Sequence, residues 1–163
     1  MRKADIIEKK IFTLPELLRR IAQWRTIGKT VSFTNGVFDI MHRGHIASLS
    51  QAAGEADYLI VGLNSDASTK RLKGDSRPVN DEQARSIVMA SLLMVDAVVL
   101  FEEDTPLELI KAVLPDVLVK GGDYTEEQIV GAKEVKANGG KVVINPIVEG
   151  FSTTGLIGKI TRL

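Results

Sequence analysis

Short apolar runs separated by longer amphipathic stretches recur along the chain, which is how a parallel sheet covered by helices is written in sequence. Five runs read as strands: residues 30–34, 58–63, 97–101, 117–120 and 141–145. Between them lie helix signals. Thr105-Pro106-Leu107-Glu108 and Thr125-Glu126-Glu127-Gln128 carry the capping-box pattern, the first with Pro at the first helical position, and Thr13-Leu14-Pro15-Glu16 repeats it ahead of a helix running to about Trp24. Asn138-Gly139-Gly140 supplies a stop, because Asn and Gly tolerate the left-handed conformation that closes a helix. Residues 46–53, 80–94 and 155–163 read as further helices. Alternating β and α units with no repeat and no Pro-, Gly- or Ser-rich linker predict one α/β domain: a single Rossmann-like open sheet of about five parallel strands with helices on both faces, plus an N-terminal helix.

Composition narrows the function classes. At 163 residues, 44% hydrophobic and 26% charged, the chain is an ordinary folded domain rather than a disordered or fibrous one. Lys plus Arg and Asp plus Glu are both 21, so the net charge of +0 provides no field to attract nucleic acid or a membrane surface, and neither is an expected partner. With Cys at 0 there is no disulfide, thiolate metal site or cysteine nucleophile, which fits a reducing compartment. Met1-Arg2-Lys3-Ala4-Asp5 opens no signal peptide, and no apolar run approaches the roughly 20 residues that span a bilayer, so the expected location is cytoplasmic.

Open α/β sheets bind ligands at the carboxyl ends of their strands, where the strand order reverses. The first strand leads into Phe33-Thr34-Asn35-Gly36-Val37-Phe38-Asp39-Ile40-Met41-His42-Arg43-Gly44-His45, which holds both histidines of the chain. Gly36 and Gly44 let a phosphate approach the backbone, and the amides opening the next helix attract anions. Metal ligation by His42 and His45 lacks a third ligand placed by spacing, and a purely structural pair is the bland alternative. After the second strand, Lys70, Arg71, Lys73 and Arg77 lie in a Gly/Pro-punctuated polar run, either a solvated face or a mobile lid closing on a polyphosphate. Lys120-Gly121-Gly122-Asp123 ends the fourth strand with a cation, two glycines and a carboxylate that caps a helix or faces a hydroxyl or metal. Ser152-Thr153-Thr154 opens the last helix as a second anion seat or simply as a cap. Gly150 to Gly155 has the outer spacing of a P-loop, but Leu156 stands where the Lys must be; G-x-G-x-x-G and G-x-S-x-G are absent.

Together these residues resemble the nucleotidyltransferase superfamily marked by an H-x-G-H element, here His42-Arg43-Gly44-His45. Asn64 to Gly74, Arg77-Pro78-Val79-Asn80, Leu118 to Tyr124 and Ser152-Thr153-Thr154 are similar to the adenylyltransferase domains of bifunctional ADP-heptose synthases and their stand-alone counterparts. The likeness runs from about Thr30 to the C-terminus, dividing the chain into an N-terminal helical extension, 1–29, and a nucleotidyltransferase domain, 30–163. Sugar-kinase activity is not implied by it. It implies that His42, His45 and Lys73 are catalytic, contacting the triphosphate and stabilising charge, with Lys70 as a further partner. It also implies that Asn35, Gly36, Val37, Phe38, Asp39, Gly44, Asp66, Arg85, Lys120, Gly121, Asp123, Ser152, Thr153 and Thr154 surround the nucleotide. One departure stands out: glycerol-phosphate cytidylyltransferases carry an Arg-Thr pair before their Gly-x-Ser-Thr-Thr element, where this chain has Ile147-Val148-Glu149-Gly150.

The implied reaction is transfer of AMP from ATP to D-glycero-β-D-manno-heptose 1-phosphate, giving ADP-heptose and pyrophosphate for lipopolysaccharide or surface-glycan synthesis. Mg²⁺ is expected, held mainly by the ATP phosphates, with no metal site built from side chains. A cytidylyltransferase for glycerol 3-phosphate or another alditol phosphate is the nearest rival, and a nucleotide-binding sensor without turnover is a rival of another class. The N-terminal helix is a candidate homodimer surface, since the related enzymes are commonly dimers.

Overall fold

The computed structural model describes residues 4–122, 124–146, 150–160 and 162. Six parallel strands, β1 (Ile11–Phe12), β2 (Val31–Gly36), β3 (Tyr58–Asn64), β4 (Ala97–Phe101), β5 (Val117–Gly121) and β6 (Lys141–Asn145), form one sheet in the order β1-β4-β3-β2-β5-β6. The five strands expected from the apolar runs are all present. The sixth, β1, pairs Ile11 with Val98 and Phe12 with Val99 at the sheet edge. Two residues are too few to show alternation, so this strand exists only because β4 offers it an edge.

Alternate strand residues face opposite layers. On one face Phe33, Ile60 and Val99 pack with Leu17, Ile21 and Trp24 of α1 (Leu14–Thr26), Ile110 and Val113 of α5 (Leu107–Val113) and Val135 of α6 (Ala132–Ala137). On the other, Leu59, Val61, Leu63 and Val98 meet Leu49 and Ala52 of α2 (Arg43–Ala53) and Met89 and Ala90 of α4 (Glu82–Ser91). Each large side chain buried this way contributes about 1.5–3 kcal/mol. Leu17, Ile21 and Trp24 follow helical spacing, and Trp24 stacks on Tyr58 with ring centroids 4.1 Å apart, which ties α1 to β3.

Helix starts differ from expectation in instructive ways. The Glu16 carboxylate accepts from the backbone N–H and hydroxyl of Thr13 at 3.0 and 2.6 Å, as the capping pattern predicts. Thr105 does not cap α5: the helix opens at Leu107, with Pro106 at the cap position and no side-chain cap bond. The Thr125–Gln128 box forms, but closes only a single 3₁₀ turn, Glu126–Gln128; α6 begins after Gly131, whose φ of +87° and contact with Ile110 leave no room for a Cβ. The polar run expected as a lid loop is instead helical over Asp66–Lys73 (α3), capped by the Ser65 hydroxyl accepting from Ser68 N–H. The last helix, α7, spans Thr153–Ile160, two residues earlier than expected, because the Ser152 hydroxyl accepts from Gly155 N–H at 3.0 Å. Among the described residues no helix is long and apolar enough to cross a membrane.

Candidate active site

The chain builds β2, β3 and β4 outward in one direction, then returns to place β5 on the other side of β2. Strands β2 and β3 stay in register over their whole length, from Val31↔Tyr58 to Gly36↔Leu63, whereas β2 and β5 pair only at Ser32↔Val117 and Phe33↔Leu118. Beyond that point the two strands part, the crevice at which open α/β sheets hold ligands. Lys120 Nζ donates across it to Asn35 Oδ1 at 3.3 Å. A cleft of about 530 Å³ opens here, lined by Asn35, Gly36, Val37, Phe38, Asp39, His45, Lys73, Lys120, Thr153 and Thr154, all of them sequence candidates.

The cleft also takes in Asn64, Leu72, Arg77, Asp104, Thr105, Pro106, Tyr124 and Val130, which were not among the candidate site residues. Asn64 ends β3 and Asp104 to Pro106 follow the end of β4, so the rule that ligands gather at carboxyl ends would have found them. Arg77 belonged to the basic run. Nothing in the pattern points to Leu72 or Val130.

Helix α2 starts at Arg43, three residues earlier than expected, so the H-x-G-H element is the helix entrance itself. His42 is the N-cap residue and His45 sits one turn on, which stacks their rings at a centroid distance of 3.8 Å and 20° between planes. Gly44 makes this stack feasible: a Cβ there would stand 3.1 Å from the His42 ring and 3.3 Å from Phe151 Cβ. Gly44 thus has His42 and Phe151 over it. Neither Nδ1 has a hydrogen-bond partner among the described residues although both are buried. Burial, helped by the adjacent His42, pushes the His45 pKa down to about 4, and burial also holds His42 below the usual imidazole value. At neutral pH the His45 ring is therefore uncharged, and an anion arriving beside it raises its proton affinity.

The wall formed by β2, β3, α3 and α4 is closed by hydrogen bonds. Arg85, 1% exposed, donates to Val37 O and Asn64 O at 2.8 Å each, to Asn80 O at 3.0 Å and to Asp66 Oδ1 at 2.7 Å. Arg85 and Asp66 thus stand behind the cleft, paired to each other, and do not line it. Asp39, 4% exposed, accepts from Arg77 Nε at 2.6 Å, from Val79 N–H at 2.8 Å and from Asn80 N–H at 2.8 Å. Burial opposes ionisation of Asp39, but the Asn80 and Val79 amides and the Arg77 guanidinium outweigh it and hold the carboxyl below its ordinary value. Between these anchored neighbours Phe38 adopts φ +47°, a left-handed conformation that costs a non-glycine residue about 1–3 kcal/mol.

The opposite wall is less completed. Lys120 is largely buried, makes no ion pair among the described residues, and burial lowers its pKa. An ammonium held there without a carboxylate favours an anionic ligand. Thr153 and Thr154 reach the cleft from the start of α7, with Thr153 Oγ1 donating to Ile40 O at 3.4 Å, while Ser152 caps the helix. Gly121 lies outside the main cleft, in an adjoining hollow with His42, Ser48, Pro146 and Phe151. Lys73 ends α3, exposed, on the cleft rim. Asp123 and Ile147 to Glu149 lie outside the described residues. Among the described residues no three His, Asp or Glu side chains gather as a metal site.

An open doubly wound sheet with paired imidazoles at a helix start and a largely buried cation across the crevice is suited to holding phosphate groups. The cytidylyltransferase-like family model matches residues 33–157, and the chain belongs to that family. It is 57% identical to the bifunctional protein HldE of Rhodopseudomonas palustris over 93% of its length, and 54% identical to that of Koribacter versatilis over 94%. The chain spans about a third of the length of these curated relatives, 31% and 32% respectively. Among solved structures it is similar to a lipopolysaccharide core biosynthesis protein from Thermoplasma volcanium, with a TM-score of 0.61 and 30% identity, covering 74% of this chain and 98% of that one. A pantoate-beta-alanine ligase from Francisella tularensis, 17% identical with a TM-score of 0.51 over 88% of this chain and 76% of that one, shares the fold. The superfamily resemblance read from H-x-G-H is borne out.

Proposed function

We propose that the protein is an adenylyltransferase that moves AMP from ATP to D-glycero-β-D-manno-heptose 1-phosphate, releasing pyrophosphate and forming ADP-heptose. The observation that carries this reading is the convergence of His45, stacked on His42, with the largely buried Lys120 on one crevice at the β2/β5 divergence. The identity with HldE over nearly the whole chain supports the heptose phosphate as acceptor.

In this reading a sugar-phosphate oxygen attacks the α-phosphorus in line with the departing pyrophosphate, forming one P–O bond as the α–β bridge breaks. No covalent enzyme intermediate is needed. Lys120 holds the triphosphate by charge; an imidazole N–H of His45 donates to a phosphoryl oxygen as charge builds there; the α2 and α7 amides add partial positive charge. Lys73 reaches in from the rim. The closed wall orients the acceptor through Arg77, which Asp39 fixes in place. Mg²⁺, held by the triphosphate oxygens rather than by a side-chain cage, of which the described residues offer none, would supply neutralisation of part of the phosphate charge. ATP as donor fits a cytoplasmic enzyme, and a homodimer is part of the proposal.

The test is pyrophosphate release from ATP or CTP in the presence of heptose 1-phosphate or glycerol 3-phosphate. Release with ATP and the heptose phosphate supports the reading. CTP-dependent release without ATP use replaces it with an alditol-phosphate cytidylyltransferase, and ATP binding with no release under any acceptor replaces it with a sensor.

A further inference from the structure

We propose that Phe38 is a positioning residue: its backbone, gripped through both neighbours, sets the ring edge against His45 and fixes how that imidazole faces the cleft. The catalytic part of this inference rests on the nucleotidyl-transfer reading; the structural part does not.

Three observations carry it. Phe38 has φ +47°, and a bulky aromatic has no intrinsic tolerance for that region, unlike Asn or Gly. Such a conformation persists only where the surroundings hold it. Here Arg85 of α4 grips Val37 O, while the Asp39 carboxylate is bound by Arg77, Val79 and Asn80 and its carbonyl accepts from Asn80 Nδ2 at 2.8 Å. Both residues flanking Phe38 are thereby anchored to segments about 40 positions further along the chain. Gly36 completes the arrangement, since a Cβ there would lie 2.9 Å from the Phe38 ring, which folds back over it.

The strained backbone delivers the ring to one place. Phe38 and His45 meet edge to face, with centroids 5.4 Å apart and planes at 67°. His45 is then confined between the Phe38 ring and the stacked face of His42. Filling apolar space alone would not call for a left-handed backbone, because a relaxed loop could bury an apolar side chain equally well. A ring held at a set angle to His45 does call for it. The same contact keeps water from one side of His45, in line with the burial that lowers its proton affinity.

The experiment pairs steady-state kinetics with proton NMR titration of the histidine C2–H signals, which are only two and are assigned with His42→Gln. The charged or titratable groups sharing the surroundings of His45 are His42 on its own helix, Lys120 from β5, and Lys73, Arg77, Asp39 and Asp104 around the cleft; all are kept. In Phe38→Leu, kcat is expected to fall ~10–100-fold with the KM for ATP within about 3-fold, the scale of a mis-set catalytic group. The His45 midpoint is expected to rise by about one unit or more toward the free-imidazole value as water gains access. Phe38→Tyr, which keeps the ring edge, is expected to retain the low midpoint. If thermal melting shows that the Leu variant does not fold, Phe38→Met takes its place. A fall in kcat with an unmoved midpoint, or a moved midpoint with unchanged kcat, overturns the proposal, as does no change in either. Should the unaltered protein transfer no nucleotide at all, the functional reading fails, and the titration alone then decides whether Phe38 places His45.

Discussion

The two walls of the cleft are built on opposite terms. On the β3 side, Arg85 and Asp39 are almost completely buried, yet each is matched by several hydrogen-bonding partners contributed by distant parts of the chain. On the β5 side, among the described residues, Lys120 has only the Asn35 amide oxygen at 3.3 Å, the two histidine Nδ1 atoms have no partner, and α7 contributes no buried residue. Buried polar groups are normally satisfied, so a concentration of incomplete ones marks where a ligand supplies the missing partners. One wall, the partnerless Thr69 hydroxyl of α3 apart, is finished by the fold and holds shape; the other awaits an anion.

Breaking the finished wall should produce the largest effect. Arg85→Met leaves the Asp66 carboxylate and three carbonyls without their donor, and is expected to cost about 3–5 kcal/mol of stability, read as a lower midpoint in urea unfolding. A variant as stable as the parent would show that this wall is not held by its hydrogen bonds.

On the unfinished wall the loss should appear in turnover instead. His45→Ala is expected to lower kcat ~10²–10³-fold, as removal of a charge-stabilising donor does, with the unfolding midpoint little changed. Near-normal turnover would remove the imidazole from the chemistry.

Lys120→Met sharpens the contrast. Because the ammonium is largely buried with no counter-charge among the described residues, its removal is expected to leave stability equal or higher while weakening ATP binding ~10–100-fold, measured by calorimetry. A destabilised variant that binds ATP normally would place Lys120 among the structural groups.

The smallest effect is a pH dependence. His45 has a folded pKa of about 4, below the roughly 6.5 of an unfolded imidazole, so the unfolded chain binds the extra proton between these values. Stability contributed by the neutral ring is complete above that window and is lost as the pH falls through it. Urea midpoints for His45→Gln should decline less steeply than those of the parent over this range, and parallel curves would contradict the burial of His45.

Much of the fold was legible because its apolar runs are short, continuous and buried on both faces, a pattern helices do not imitate. All five expected strands lie within a few residues of their observed limits. The cleft was legible too, in that the strand-end segments at Asn35 to Asp39, Lys120 and Thr153 to Thr154 meet there. Errors concentrated at helix entrances. Arg-Gly-His is a poor opening turn by propensity, and His is not a favoured N-cap, so the first turn of α2 gave no local signal. The loop expected from Lys70 to Arg77 is helical as far as Lys73 for a related reason: Gly74 and Pro78 suggested a loop, while the Ser65 cap that nucleates α3 lies ahead of the basic run.

Local order along the chain was enough to determine the strands, the α/β alternation and the position of the histidines at a strand's end, because these depend on periodicity and on residues close in sequence. Only the tertiary structure decided that Arg85 and Asp66 support the cleft from behind, that Phe38 is held in a left-handed conformation, and that Lys120 has no counter-charge among the described residues. Those outcomes depend on hydrogen bonds and burial between residues far apart in the chain, and such interactions exist only once the sheet has brought their partners together.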